Sequence, residues 1–92
     1  MTNRRGETEV KAFAEAMIQK LNEPKNLEKD HWKKCNARYL HDLLKQEVFE
    51  LRLELIGSKT YKELILKECA DVANFAMMIA DSVGALSQEP EV

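Results

Sequence analysis

The sequence predicts an all-α protein of one domain, with three main helices per chain that complete a helical bundle by self-association. Three observations lead there. The chain has 92 residues, below the ~100–200 of a usual single domain, so it has material for one core. Only three Gly and two Pro interrupt a chain rich in Ala, Leu, Glu and Lys, the residues that favour helix most. Apolar residues also recur at steps of three and four, the period of a helix with one buried stripe. A composition of 45% hydrophobic and 33% charged residues separates the chain from disordered sequences and predicts a core over about residues 7–86.

In the first element Val10, Phe13, Ala14, Met17, Ile18 and Leu21 fall on one stripe of a helix from about Glu7 to Leu21, ended by Asn22 and Pro24. Residues 25–36 hold Leu27, Trp32 and Cys35 among charges, and read as a short helical turn or ordered loop. A second helix follows from about Ala37 to Ile56, with Gly57 placed to close it in the left-handed conformation. Thr60-Tyr-Lys-Glu63 reads as a capping box, threonine and glutamate each satisfying a free backbone N–H. The third helix then extends to about Leu86, and the tail 87–92, with Pro90, is expected to fray.

The third helix carries Leu64, Ile65, Val72, Phe75, Met77, Met78, Ile79 and Val83 around most of its circumference, which predicts burial on more than one side. The second has a similar excess, with Phe49 and Leu53 roughly opposite Leu40, Leu44, Leu51 and Leu55. Three helices cannot cover all of these faces. A homodimer or a dimer of dimers is therefore expected.

Charge and cysteine usage narrow the function. Fourteen Lys and Arg against sixteen Asp and Glu leave a net charge of −2, with no basic excess to neutralise a nucleic-acid backbone. The polar start of the chain has no apolar signal region, and the longest apolar run, Phe75 to Ala80, is far below the ~20 residues of a membrane span. Cys35 and Cys69 form neither a C-x-x-C pair nor a disulfide framework, and a reducing, cytoplasmic location is expected.

The informative charges are four carboxylates. The second helix reads Gln46-Glu47-Val-Phe-Glu50 and the third Glu68-Cys-Ala-Asp71, so each pair lies about 60° apart on one helix face. Glu47 falls between Leu43 and Leu51 at steps of four, and Glu68 shares its sector with Leu64, Val72 and Phe75. The pairs thus lie in the apolar stripes or on their edges. Solvated acidic faces usually offer Lys or Arg four residues on, as Arg38 with Asp42 and Glu63 with Lys67 would. Glu47 instead meets Leu51, Glu50 meets Glu54 and Glu68 meets Val72, leaving only Lys67 to Asp71 in the weaker orientation.

Four such carboxylates in a half-buried groove are unfavourable unless cations neutralise them. An all-oxygen donor set, without His or Cys, selects a hard cation such as Mg²⁺, with Mn²⁺ as a substitute. Di-iron bundles need two Glu-x-x-His motifs, and this chain has one, Glu28-Lys-Asp-His31. No Walker-type glycine loop, nucleophile elbow or His-Asp-Ser arrangement points to another catalytic class.

Glu-x-x-Glu on one helix followed by Glu-x-x-Asp on the next, 68 − 50 = 18 residues later, resembles the signature of the all-α nucleoside triphosphate pyrophosphohydrolases, the superfamily of MazG and the dimeric dUTPases. The string Lys67-Glu-Cys-Ala-Asp-Val-Ala-Asn-Phe-Ala-Met-Met-Ile-Ala-Asp81 is similar to the third-helix segment of short phage and bacterial MazG-like proteins, and Lys20-Leu-Asn22 and Trp32 to their lead-in. The resemblance covers roughly residues 20–84. It implies the MazG-like fold, Mg²⁺ held by Glu47, Glu50, Glu68 and Asp71, and hydrolysis of a (d)NTP to its monophosphate and pyrophosphate by in-line attack on the α-phosphorus. Glu47 is the carboxylate assigned to help with the proton. The family often has two adjacent glutamates where this chain has Gln46-Glu47, a departure that bears on rate more than on the metal.

Three further residues are substrate candidates. Asn74, one turn beyond Asp71, is placed to hydrogen-bond a sugar hydroxyl or metal-bound water, or else to sit satisfied in a dimer core. Trp32, the only Trp, suits base stacking or anchoring a loop. Lys29 suits triphosphate charge or plain solvation. His31 and His41 show no ligand spacing. The rivals to a hydrolase are a non-catalytic helical interaction module and a degenerate relative that retains the metal.

Overall fold

The computed structural model describes residues 4–24, 30–57 and 61–87. Among them all regular structure is helical: α1 over Glu7–Leu21, a 3-10 turn over Asp30–Lys34, α2 over Ala37–Ile56 and α3 over Lys62–Ser82. Helix α3 is the hub, because α2, α1 and the 3-10 turn all pack against it. Ile65, Val72, Phe75, Met77, Met78 and Ile79 are buried or half-buried, whereas Leu64 and Val83, expected to be covered as well, stand largely exposed.

Local chemistry fixes the helix ends. At the end of α1 the Asn22 N–H reaches the carbonyls of Ile18 and Gln19, each at 3.2 Å, and its side-chain Nδ2 donates to Ile18 O at 2.8 Å. At the start of α2 the Asn36 Oδ1 accepts from the Tyr39 N–H at 2.8 Å, the usual work of an N-cap asparagine.

Gly57 departs from the expectation. It leaves α2 in an extended conformation, φ −64° and ψ 158°, and not in the left-handed region. The glycine that does close a helix left-handed is Gly84, at φ 79°. There the Gly84 N–H meets Asp81 O at 2.9 Å and the Ala85 N–H meets Ala80 O at 3.0 Å, the paired bonds of a Schellman closure. That closure stops α3 at Ser82, short of the expected Leu86. At its other end α3 begins at Lys62 after an extended Tyr61, with no side-chain cap on that residue. Thr60 of the expected capping box lies outside the described residues, as does most of the tail, 88–92.

The core is thin. Among the described residues, Leu40 and Ala70, each 1% exposed, and Met78 are its buried apolar members, joined by Asn74 and Lys20. Ala70, Asn74 and Met78 follow one another at steps of four and so form a single stripe of α3. On α1, Phe13, Ala14, Met17 and Leu21 are half-buried, while Val10 and Ile18 stand largely exposed. On α2, Phe49, Leu53 and Ile56 share one face at 58%, 49% and 69% exposure, and Leu55, grouped by periodicity with Leu40, is exposed as well. Among the described residues no helix is long and apolar enough to cross a membrane. Cys35 and Cys69 are half-buried, and neither forms a disulfide.

Candidate functional site

Packing α2 against α3 brings Glu47, Glu50 and Glu68 together, with one carboxylate oxygen of each within 4.8 Å of the others. Glu50 stands at the mouth, exposed, and Glu47 and Glu68 lie deeper. The Oε2 atoms of Glu47 and Glu68 are buried without a hydrogen-bond partner. A buried oxygen of this kind ordinarily costs ~1–3 kcal/mol, and more when charged.

The electrostatics register that cost. Burial, a hydrogen bond to Glu50 and repulsion from Asp71, Glu50 and Glu68 push the Glu47 carboxyl up to about 7. Two carboxyl groups share a hydrogen bond only while one keeps its proton. Burial, with repulsion from Asp71, Glu50 and Glu54 outweighing the help of Lys20, raises Glu68 above its ordinary range. A divalent cation with oxygen ligands at about 2.0–2.6 Å would satisfy both orphaned oxygens and remove the repulsion. On that test the residues fit a hard metal ion.

Asp71 lies in the same cleft but is engaged elsewhere. Its Oδ2 pairs with the Nζ of Lys20 at 3.5 Å, and the same ammonium lies 3.4 Å from Glu23 Oε2. Lys20 is 9% exposed. Burial works against its charge, yet attraction to Asp71 and Glu23 wins and raises its pKa. Periodicity had an available sign of this position: Lys20 follows Phe13 and Met17 at steps of four and three, so it continues the buried stripe of α1. Its charge alone does not mark it as a site residue, because Asp71 lies on another helix.

The cleft between these elements has a volume of about 480 Å³. Besides the carboxylates and Lys20 it is lined by Trp32, Asn74 and Phe75. The Asn74 Nδ2 donates to Met17 O at 3.1 Å, tying α3 to α1, whereas its Oδ1 is buried without a partner. Trp32 anchors the 3-10 turn to α3, its Nε1 donating to Asp81 Oδ2 at 3.3 Å. Lys33 pairs with the same Asp81 oxygen at 3.4 Å and lies 5.8 Å from the Trp32 ring centre. Lys29 lies outside the described residues. Gln46, Tyr39 and Cys35 also line the cleft.

The helix-face ion pairs expected at Arg38 with Asp42 and Glu63 with Lys67 are not among the ion pairs of the described residues, where Lys11 with Glu7, at 3.6 Å, is the pair at that spacing. Lys67 does not take Asp71 either, because Lys20 does. No family model, curated protein or solved structure matches the chain.

Proposed function

We propose that the protein is a Mg²⁺-dependent nucleoside triphosphate pyrophosphohydrolase, converting a (d)NTP and water to the monophosphate and pyrophosphate. One observation carries the reading: three carboxylates from two helices converge within 4.8 Å, two of them with buried, unsatisfied oxygens. The size of the cleft, about 480 Å³, falls within the ~300–1,000 Å³ of small-molecule sites. The motif resemblance names the substrate class.

Glu47, Glu50 and Glu68 would hold Mg²⁺, with Asp71 beside them. Bound there, the ion supplies charge neutralisation at the phosphates and acidifies water. The chain's own groups do the rest. Glu47, set deeper in the cleft than Glu50, is the carboxylate assigned to accept the proton lost by the attacking water. Asn74 is fixed by its amide nitrogen to Met17, so its oxygen is held ready for a donor such as a sugar hydroxyl. Trp32 bounds the cleft as an aromatic wall for a base. The exposed face of Phe49, Leu53 and Ile56 is covered in this reading by a second copy of the chain, as a bundle completed by a dimer requires.

Hydrolysis in ¹⁸O-labelled water tests the reading. Attack on the α-phosphorus puts the label in the monophosphate. Release of inorganic phosphate in place of pyrophosphate would overturn it.

A further inference from the structure

Asp81 sits in the last turn of α3, where the helix dipole makes a negative charge unfavourable. Its carboxylate is met there from the 3-10 turn. One oxygen, Oδ2, accepts from the Trp32 Nε1 at 3.3 Å and from the Lys33 Nζ at 3.4 Å. The Lys33 ammonium also lies 5.8 Å from the centre of the Trp32 ring, close enough for a cation–π contact. Each of these side chains therefore engages both of the others. Trp32 lines the cleft, whereas Asp81 and Lys33 stand behind its wall. We propose that Asp81 is a positioning residue, which through Trp32 sets the aromatic wall against which the base of the substrate rests, an inference that rests on the nucleotide reading above.

Trp32 is held at both ends. Its carbonyl accepts from the Cys35 N–H at 2.9 Å, just ahead of the Asn36 cap of α2, and its ring is tied to the end of α3 by Asp81. An indole has a single N–H and no acceptor, so the group that takes this proton decides how the ring is turned. Asp81 is a firm support for that purpose, because its own carbonyl accepts from the Gly84 N–H at 2.9 Å in the closure of α3. No residue of the last turn of α3 is basic, and Lys33 supplies from outside the cation that a helix C-terminus favours. Lys33 is 67% exposed, so its ion pair contributes little. The half-buried bond to the indole is the one that orients the wall.

The test titrates the α,β-methylene analogues of the common deoxynucleoside triphosphates, and inorganic tripolyphosphate, calorimetrically with Mg²⁺ into the wild type, Asp81→Ala and Asp81→Asn. Alanine suits a helix and removes a charge from its C-terminus, so Asp81→Ala is expected to fold. Its affinity for the analogue that the wild type binds tightest should fall at least about fivefold, the worth of one aromatic contact, while its affinity for tripolyphosphate stays unchanged. Asp81→Asn keeps an oxygen acceptor for the indole N–H and should recover most of the loss. In steady-state kinetics Asp81→Ala should raise KM for the triphosphate and leave kcat within about twofold. Unchanged analogue affinity in Asp81→Ala, or an equal loss for tripolyphosphate, overturns the proposal and leaves the nucleotide reading standing; a wild type that binds none of the analogues overturns both. Should Asp81→Ala lose its helical signal, the indole N–H resonance of the wild type decides, a single peak because Trp32 is the only Trp. It should move on adding the analogue to the Mg²⁺-loaded protein and hold its place with tripolyphosphate, and a resonance unmoved by the analogue overturns the proposal.

Discussion

Glu47 on α2 and Glu68 on α3 bring their carboxylates within 4.8 Å of each other, and each buries an Oε2 with no hydrogen-bond partner. In metal-free protein Glu47 titrates at about 7 in place of 4.5, so between those values the folded state holds a proton that the unfolded state has released. Stability is then highest at the acid end of this window and is lost as pH rises through it. Glu68 acts in the same direction. In chelator, raising the pH from 5 to 8 should lower stability by on the order of 2–3 kcal/mol, or roughly 10 °C or more in melting temperature for a chain of this size. A melting temperature that climbs over that interval would contradict the electrostatic account.

Mg²⁺ binds the ionised carboxylates and releases protons. Its stabilising effect should therefore grow from pH 5.5 to pH 8, and thermal melts at fixed free Mg²⁺ measure it. Glu47→Gln keeps a hydrogen-bonding amide beside Glu50 while removing a charge. It should melt higher than the wild type in chelator, by about 1 kcal/mol, and lose most of the response to Mg²⁺.

Glu50→Gln and Asp71→Asn are expected to separate in stability while both abolish turnover. Sequence reasoning treats the two alike, as relief of crowded negative charge. Lys20 changes that for Asp71, since Asp71→Asn takes a charged partner from a buried ammonium. Glu50→Gln should be neutral or stabilising, and Asp71→Asn destabilising by roughly 1–3 kcal/mol. Urea unfolding of the pair checks the order, and equal midpoints would remove the importance assigned to the Lys20 to Asp71 contact.

The parts of the fold legible in the sequence are those written in local periodicity. Helices α1 and α2 begin and end where the stripe and Asn22 say they do, since a 3.6-residue repeat and a cap are decided within a few neighbours. The two glycines were harder: Gly57 and Gly84 both follow apolar helical runs, and which one turns left-handed depends on the path the chain takes next. Carboxylates at Glu47, Glu50 and Glu68 stood out because each lacked a cation four residues on. Lys20 did not, because its importance comes from Asp71 on another helix. Trp32 likewise meets Asp81 through a contact spanning 49 positions, which no local pattern encodes.

The exposed stripe of Phe49, Leu53 and Ile56 bears on assembly. Light scattering at micromolar concentration should return at least two chains per particle. Phe49→Glu combined with Leu53→Lys should return one, with helicity retained in part. A wild-type mass of one chain would remove the second copy from the account.

Leu40, at 1% exposure the largest fully buried side chain among the described residues, is the residue whose truncation tests the thin core. Leu40→Ala should cost about 2–5 kcal/mol, enough to unfold much of the population near body temperature. A loss below 1 kcal/mol, read by chemical denaturation, would mean that the packing of α2 on α3 contributes less than its burial implies.

The central claim is metal-dependent release of pyrophosphate, and one assay reaches it directly: wild type and Glu68→Gln incubated with a panel of canonical and modified (d)NTPs, with and without Mg²⁺, the products resolved by anion exchange. The account predicts monophosphate and pyrophosphate from the wild type only when Mg²⁺ is present, and none from Glu68→Gln. No turnover of any triphosphate by a folded, Mg²⁺-binding wild type would contradict it and leave a metal-holding interaction module in its place.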